Sequence, residues 1–598
     1  MIARHPEQVY LQERSKYERL VQQLLKKQNQ LGWTRLIIIL VTIVASYLAI
    51  MNLGVWGWIV ALVGISVFLY IVSVDAANNE KLAEAKSLVS VNEVELQILN
   101  NQYFDRFNGV EYEPNTHPYA ADVDVFGNAS LYQYINRCET EQGKALLAMD
   151  FLALLDVDTI LERHEAIIEL QSLLEWRQRL QAAAKRTPIN IALQLKIEQW
   201  LQDEEKPYAD RKWKYIIQIY SVVTVGLGLA AALGYIPGAV FSMIFLICFI
   251  FSSSLSKKVI KPYIRLSGIV KEVDTLHELI HCIESGRFKS PKLQLLQRRL
   301  QTENRSASAA IKELKEILNR FDLRLNVFVF LFLNSFILWD VRLMRALNSW
   351  RENHKQLLPD CFTVIAEMEV LNSLAVLHFN QPDWTFPVFK EYFTLEGSAI
   401  GHPLIPASKR VTSDFSLHGT GKIALVTGSN MAGKSTFLRS LGVNIILAQL
   451  GAPVCAKHFA LSPMQLMSSM RIADNLAEST STFYAELKKL EAIIKEVKQH
   501  KPLFILLDEI LRGTNSLDRH IGSKALIRQL IKENAVAVIA THDVELTELE
   551  KEYKSAIENY HFDVQVENDE LYFDYKLKNG ICRSLNASIL MKKIGIEL

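Results

Sequence analysis

Three features of this 598-residue chain predict a multidomain protein of α plus α/β class. Beyond residue 393, short apolar strands alternate with helical stretches, the pattern of a domain built on a largely parallel sheet. Before it, apolar residues recur at three- and four-residue spacing, which predicts a helical region. Two pairs of uncharged apolar runs interrupt that region, and each pair is long enough to form a transmembrane helical hairpin.

Residues 1–110 read as a basic N-terminal helix, a first hairpin over 36–74 and a helical linker. The arms of that hairpin are 36–53 and 55–74, split by a Gly/Asn turn. Pro114 and Pro118 then interrupt helix. Segment 111–212 is helical, and 213–257 carries the second hairpin, whose arms 215–233 and 235–255 divide around Gly234 and Pro237. About 18 residues apolar on every face exceed what a core helix needs and suffice to cross a hydrocarbon layer of roughly 30 Å. The turns between arms carry no charge. The outer flanks carry Lys26, Lys27, Arg35, Lys81, Arg211, Lys212, Lys214, Lys257, Lys258 and Lys261. The positive-inside rule then expects both termini, the 76–212 segment and the C-terminal domain on the cytoplasmic side. The expectation is a multi-pass protein of a bacterial-type inner or plasma membrane, held in the lipid bilayer by four transmembrane helices. The polar, charged lead before Trp33 does not read as a signal peptide. A further run, 325–338, is short for a span and contains Asn326 and Asn334; it predicts a buried or interfacial helix.

Residues 258–392 form a second helical part. From Lys257 to Arg320 there are 14 Lys/Arg against 7 Asp/Glu. A solvated helical face explains such an excess, and a surface for nucleic-acid backbone is the sharper reading. With a net charge of +1, no global field draws in nucleic acid. The six cysteines, Cys138, Cys248, Cys282, Cys361, Cys455 and Cys582, are dispersed. That spacing argues against a zinc site and a disulfide framework, and fits a reducing compartment.

The domain 393–598 carries the chemistry. After the apolar run ending at Thr427, residues 428–436 read Gly-Ser-Asn-Met-Ala-Gly-Lys-Ser-Thr, which satisfies G-x-x-x-x-G-K-S/T. Gly428 and Gly433 let backbone N–H groups turn onto phosphate oxygens, Lys434 reaches the β- and γ-phosphates, and the Ser435 hydroxyl ligates Mg²⁺. Ser429, Ala432 and Thr436 belong to the same loop, and a helix from Lys434 adds its positive end. Residues 503–507 predict a buried strand ending in Asp508, suited to hold Mg²⁺ through water, and Glu509, suited to orient or deprotonate the attacking water. A third strand, 535–540, leads to His542, in position to sense a γ-phosphate. Such strand ends converge where parallel sheets bind ligands. The reading is a P-loop ATPase domain.

These residues resemble the MutS family. The phosphate loop with the following 447–456 segment, the 474–483 segment (a signature loop), Asp508 to Asp518 and 540–549 all match that family's motifs, as does the His402-Pro403 pair. More thinly, 126–137, 140–147 and 163–170 are similar to its core domain. The resemblance implies an ABC-type composite ATP site shared by two subunits in a homodimer. Ser481 and Thr482 of one chain would approach the γ-phosphate held by Lys434 of the other, with Asn430 and Met431 lining the nucleotide and Gln449 as a metal sensor. It also implies DNA as a partner and a helical lever region. The chain departs from the family at Ser429 and Ala432, where proline and glycine are usual, and at Ser479, where glycine is usual. Membrane runs stand where mismatch sensors carry a Phe-x-Glu wedge; Phe389-Lys-Glu391 reads as coincidence. The sequence stops at Leu598, about where family members continue into a helix-turn-helix that braces the ATPase dimer, so the dimer is expected without that brace. The alternative is a membrane switch or scaffold that remodels a protein partner without DNA. Four helices without patterned polar residues argue against a transporter.

Overall fold

The computed structural model describes residues 5–302, 305–391, 393–429, 432–471, 482–567 and 570–581. Its contacts divide the chain into two units interleaved in sequence. One unit, helical, comprises Met1–Leu96, Arg137–Lys144 and Leu173–Glu369; the other comprises Gln97–Asn136, Ala145–Ser172 and Val370–Leu598.

The helical unit opens with two very long helices, Pro6–Leu53 and Gly57–Leu99. At 48 residues, the first is about 72 Å long at 1.5 Å per residue. Glycine makes the pairing possible. Gly54 turns the chain at φ +56°, and neither Gly57 nor Gly64 leaves room for a Cβ against Ile50 and Thr42. Below the apolar stretch, polar contacts join the two helices. Arg35 pairs with Asp75 at 3.0 Å, and Gln28 donates to Asn79 at 2.7 Å. Nearer the N-terminus, Tyr17 packs with Leu88, Val91 and Ala182. Beside Tyr10, which is 1% exposed, Arg137 and Glu95 form a bidentate pair at 3.0 Å for each bond, both side chains all but solvent-free.

The second helical pair is Arg211–Ala232 and Gly238–Leu266. Among the described residues, five helices are long and apolar enough to cross a membrane, and up to six if one bent pair counts as a span. The most apolar windows of the first four are 0, 6, 11 and 6% buried, whereas that of Leu357–Asn380 is 78% buried. Apolarity in the fifth helix is therefore core packing; in the first four it faces outward, an apolar exposure that soluble surfaces avoid. The expected helix over 325–338 forms as Val327–Ile337, bent by 80° from Trp339–His354.

The other unit holds a six-stranded sheet in the order 570–579, 557–567, 423–427, 536–541, 503–508, 465–469. Every neighbouring pair is parallel except the edge hairpin of 557–567 with 570–579. The three central strands Ile423–Thr427, Leu503–Asp508 and Val536–Thr541 are buried at every residue, as unbroken apolar runs require. A four-stranded sheet, ordered 388–389, 458–461, 394–400, 413–418, stands beside it. The 118–124 segment belongs to this unit: Pro118 accepts from the Ser468 N–H at 2.8 Å, and Asp122 binds Ser468, the Arg471 N–H and Lys489. Cys138, Cys248, Cys282, Cys361 and Cys455 are free thiols; Cys582 lies outside the described residues.

Candidate nucleotide site

Strand register brings the predicted groups to one sheet edge. Thr541 aligns with Thr427, and Ala540 with Asp508, so all three strands end at the same level. Gly428 leaves its strand at φ +148°, with the Phe562 carbonyl 2.9 Å from where a Cβ would stand. Gly433, at φ +107°, caps the helix Lys434–Leu450. Both positions need glycine. Lys434 is 5% exposed, and its Nζ donates to the Gly428 and Ser429 carbonyls at 2.9 Å each. Ser435 and Thr436 are exposed on the first turn of the helix, and Ala432 is buried under the loop.

Around this loop the other strand ends supply a connected set of groups. His542 places Nδ1 3.0 Å from the Gly428 carbonyl and 3.4 Å from Lys434 Nζ. Its Nε2–H donates to Glu509 Oε1 at 2.5 Å, and Arg512 Nε donates to Glu509 Oε2 at 2.6 Å. The hydrogen bond from His542 holds the Glu509 carboxyl below the usual glutamate range, with Arg512 and Lys434 adding to it against the effect of burial. Glu509 sits at φ +53° and Leu511 at φ +60°, strained positions for residues with a Cβ, and the Glu509 N–H donates to Ala540 at 2.9 Å. The bonds to Ala540, His542 and Arg512 hold the carboxylate at the strand end against that strain.

Asp508 is 7% exposed, and its Oδ1 has no hydrogen-bond partner among the described residues; Oδ2 lies 4.0 Å from Arg512. A buried carboxylate oxygen without a donor suits a hard cation and its water shell, so the donor set fits Mg²⁺. Asn430, Met431 and Ser481 lie outside the described residues, as does Ser479; Thr482 opens the helix Thr482–Val497. Gln449 is a correction. It lies at the far end of the Lys434–Leu450 helix, about 22 Å along its axis from Lys434, and donates to the Met464 carbonyl. It does not reach the phosphate loop.

Two features escaped the sequence reading. Glu486 is 3% exposed and accepts from the backbone N–H groups of Leu511 and Arg512, the latter at 3.2 Å. One turn earlier, Phe483 packs against Gly513 so closely that a Cβ there would collide. The helix that begins at Thr482 thus clasps the strained turn after Glu509. A signal existed: Glu486 falls in the stripe Phe483, Leu490, Ile493 and Val497 at helical spacing, so it had to face the interior. The second feature is a cavity of about 190 Å³ beside the loop, lined by Gly433, Thr436, Phe437, Phe562 and Tyr575 among others. Phe562 and Tyr575 come from the edge hairpin, which no motif marks, and Phe437 from the helix behind the loop.

Comparison with known proteins agrees with this geometry. Residues 424–592 match the family model of MutS domain V. The chain is 33% identical over 251 residues to the DNA mismatch repair protein MutS of Thermotoga sp. (strain RQ2), covering 41% of this chain and 31% of that protein. The proteins of the same name from Thermotoga petrophila and Thermotoga maritima are each 32% identical, over 252 and 251 residues, again 41% of this chain and 31% of theirs. The chain therefore spans about a third of the length of the curated relatives it matches. MutS-family proteins are ATPases, with domain V as the ATPase domain, and it is to that domain of the family that residues 424–592 of this chain are similar.

Proposed function

We propose that the protein is a membrane-anchored MutS-like ATPase that binds DNA in an ATP-dependent way, with nucleotide drawing two ATPase domains together. The observation that carries the ATPase reading is the convergence of Lys434, His542 and Glu509 on the Gly428 end of one strand. In this reading the loop and Lys434 hold the phosphates, and Asp508 and Ser435 hold Mg²⁺, which supplies charge neutralisation when bound. Glu509, kept ionised by His542 and Arg512, takes the proton of the attacking water. His542 bridges that carboxylate and the loop and reports the γ-phosphate to both. The cavity lined by Phe562 and Tyr575 takes the base. Ser481 and Thr482 would act on the nucleotide of a second copy, and the helical unit would turn closure into arm movement.

The four exposed apolar helices support insertion of two hairpins in a bilayer, with the ATPase domain and both termini on the cytoplasmic side. Exposed Lys257, Lys258, Lys261, Lys271, Arg287, Arg298 and Lys312 would supply phosphate contacts. A protein partner in place of DNA is favoured by one observation: Arg265, Lys292, Arg299, Lys315 and Arg320 of the same segment are already paired with carboxylates. Pull-down of the detergent-solubilised protein on homoduplex, mismatched and branched DNA, with and without ATP, separates the two. Nucleotide-dependent retention that falls with added salt supports DNA, and no retention on any of the three supports the protein partner.

A further inference from the structure

The Val327–Ile337 helix bears the most exposed apolar face outside the four long helices. Val327 is 74% exposed, Phe328 76% and Phe332 53%, and Leu325 just ahead is 72% exposed. No charged residue occurs from 325 to 338. Eleven residues make about 16 Å of helix, half a hydrocarbon layer. The charges flanking the run, Arg324 and Asp340, pair with each other at 3.5 Å, so the segment returns to its own side instead of crossing.

The helix is fitted to the second hairpin along a seam that borders the exposed face, with Phe332 at the edge between the two. Phe336 packs on Phe245 with ring centroids 5.8 Å apart, and a Cβ on Gly228 would lie 3.2 Å from its ring; Phe332 packs on Phe245 as well, also at 5.8 Å. The ends of the helix are sealed. At the start, Asn326 Oδ1 accepts from the Phe328 and Val329 N–H groups at 3.1 and 3.2 Å. At the finish, Tyr220 donates to the Ser335 carbonyl at 2.8 Å and Thr224 to the Phe336 carbonyl at 2.6 Å; Asn334 donates to Ser256 at 3.0 Å. Water would satisfy these terminal carbonyls without help. Side-chain donors from a neighbouring apolar helix are what a helix end requires where water is absent.

We propose that Val327–Ile337 is a non-crossing membrane helix, seated against the second hairpin, whose face of Leu325, Val327, Phe328 and Phe332 is covered by lipid acyl chains of the lysine-flanked leaflet. This rests on the reading that the second hairpin enters the bilayer, with which the exposed face is continuous. The segment that follows, bent by 80°, couples the bilayer to the helical unit at a point between hairpin and arm.

The test places single cysteines by Phe328→Cys, Phe332→Cys, Val222→Cys (in the hairpin, 74% exposed) and Ile168→Cys (52% exposed) in the full-length chain. Each is labelled with an NBD maleimide in phosphatidylethanolamine/phosphatidylglycerol vesicles, and label on the native cysteines, measured on the unsubstituted chain, is subtracted. Acyl chains bearing doxyl groups should quench 328 and 332 as strongly as 222. Aqueous iodide should quench 168 several-fold more strongly than either. Iodide quenching at 328 and 332 with 222 still shielded overturns the proposal and leaves the hairpin reading standing. Shielding from both quenchers means that protein covers the face, a second copy included, and also overturns it. Iodide quenching at 222 as well overturns the hairpin reading and the proposal together.

Discussion

Replacing Glu509 by Gln removes one charge and almost no volume, so it isolates the carboxylate's chemistry. The contacts made by Glu509 set the expectation. Oε1 accepts from His542 at 2.5 Å and Oε2 from Arg512 at 2.6 Å, so a glutamine can keep one of the two but must turn its amide N–H₂ toward a donor at the other. The Lys434 bonds to the loop carbonyls do not involve Glu509, so the phosphate cradle is unchanged. A positioned general base contributes about 10²- to 10⁴-fold, which at 1.36 kcal/mol per tenfold is about 2.7 to 5.4 kcal/mol of barrier. The variant should therefore bind ATP with near wild-type affinity while its kcat falls by about 10²- to 10⁴-fold. Phosphate release under saturating Mg²⁺ and ATP, beside equilibrium titration with a fluorescent ATP analogue, reads both quantities. Turnover at the wild-type rate would refute the assignment of the water-activating carboxylate.

Glu486→Ala leaves the buried N–H of Leu511 and the part-buried N–H of Arg512 without their acceptor, at about 1–3 kcal/mol. Loosening the turn by that amount should lower kcat about 10- to 100-fold with little change in nucleotide affinity, and Glu486→Gln should recover part of it. Arg137→Ala removes the bidentate partner of the buried Glu95 carboxylate and should destabilise the helical unit by up to about 3–5 kcal/mol, seen in chemical denaturation of the solubilised protein. His402 and His164 are both pushed down to about 4 by burial, so they fold as neutral rings. Their unfolded value is near 6.5, so their contribution to stability is complete above that pH and is lost as pH falls from 6.5 toward 4. Melting temperature should drop by several degrees across that window, and His402→Gln should flatten the slope.

Much of the candidate site was legible because its geometry is local. The glycine spacing fixes the loop, and an unbroken apolar strand fixes where Asp508 and Glu509 emerge. Register between parallel strands then does the rest. What was not legible depends on long-range packing. The sequence places Glu486 26 residues from Arg512, and only the fold makes it the acceptor for that turn. Gln449 was misread because a motif match carries no direction along a helix; 17 residues of helix separate its ends. The four outward-facing apolar helices were legible by composition; Leu357–Asn380 is also long and apolar, but less so, with Asp360, Glu367 and Glu369 along it, and it packs in the core. Nor does sequence order foretell that Gln97–Asn136 and Ala145–Ser172 pack with the C-terminal sheet.

The account's central claim is an ATP-hydrolysing site built on the loop around Lys434. The most direct measurement is ATP turnover by the full-length protein in lipid vesicles, wild type beside Lys434→Ala. The account predicts Mg²⁺-dependent phosphate release by the wild type and none above background from the variant. Equal release from both, or none from either under conditions where the protein is folded and inserted, would contradict it.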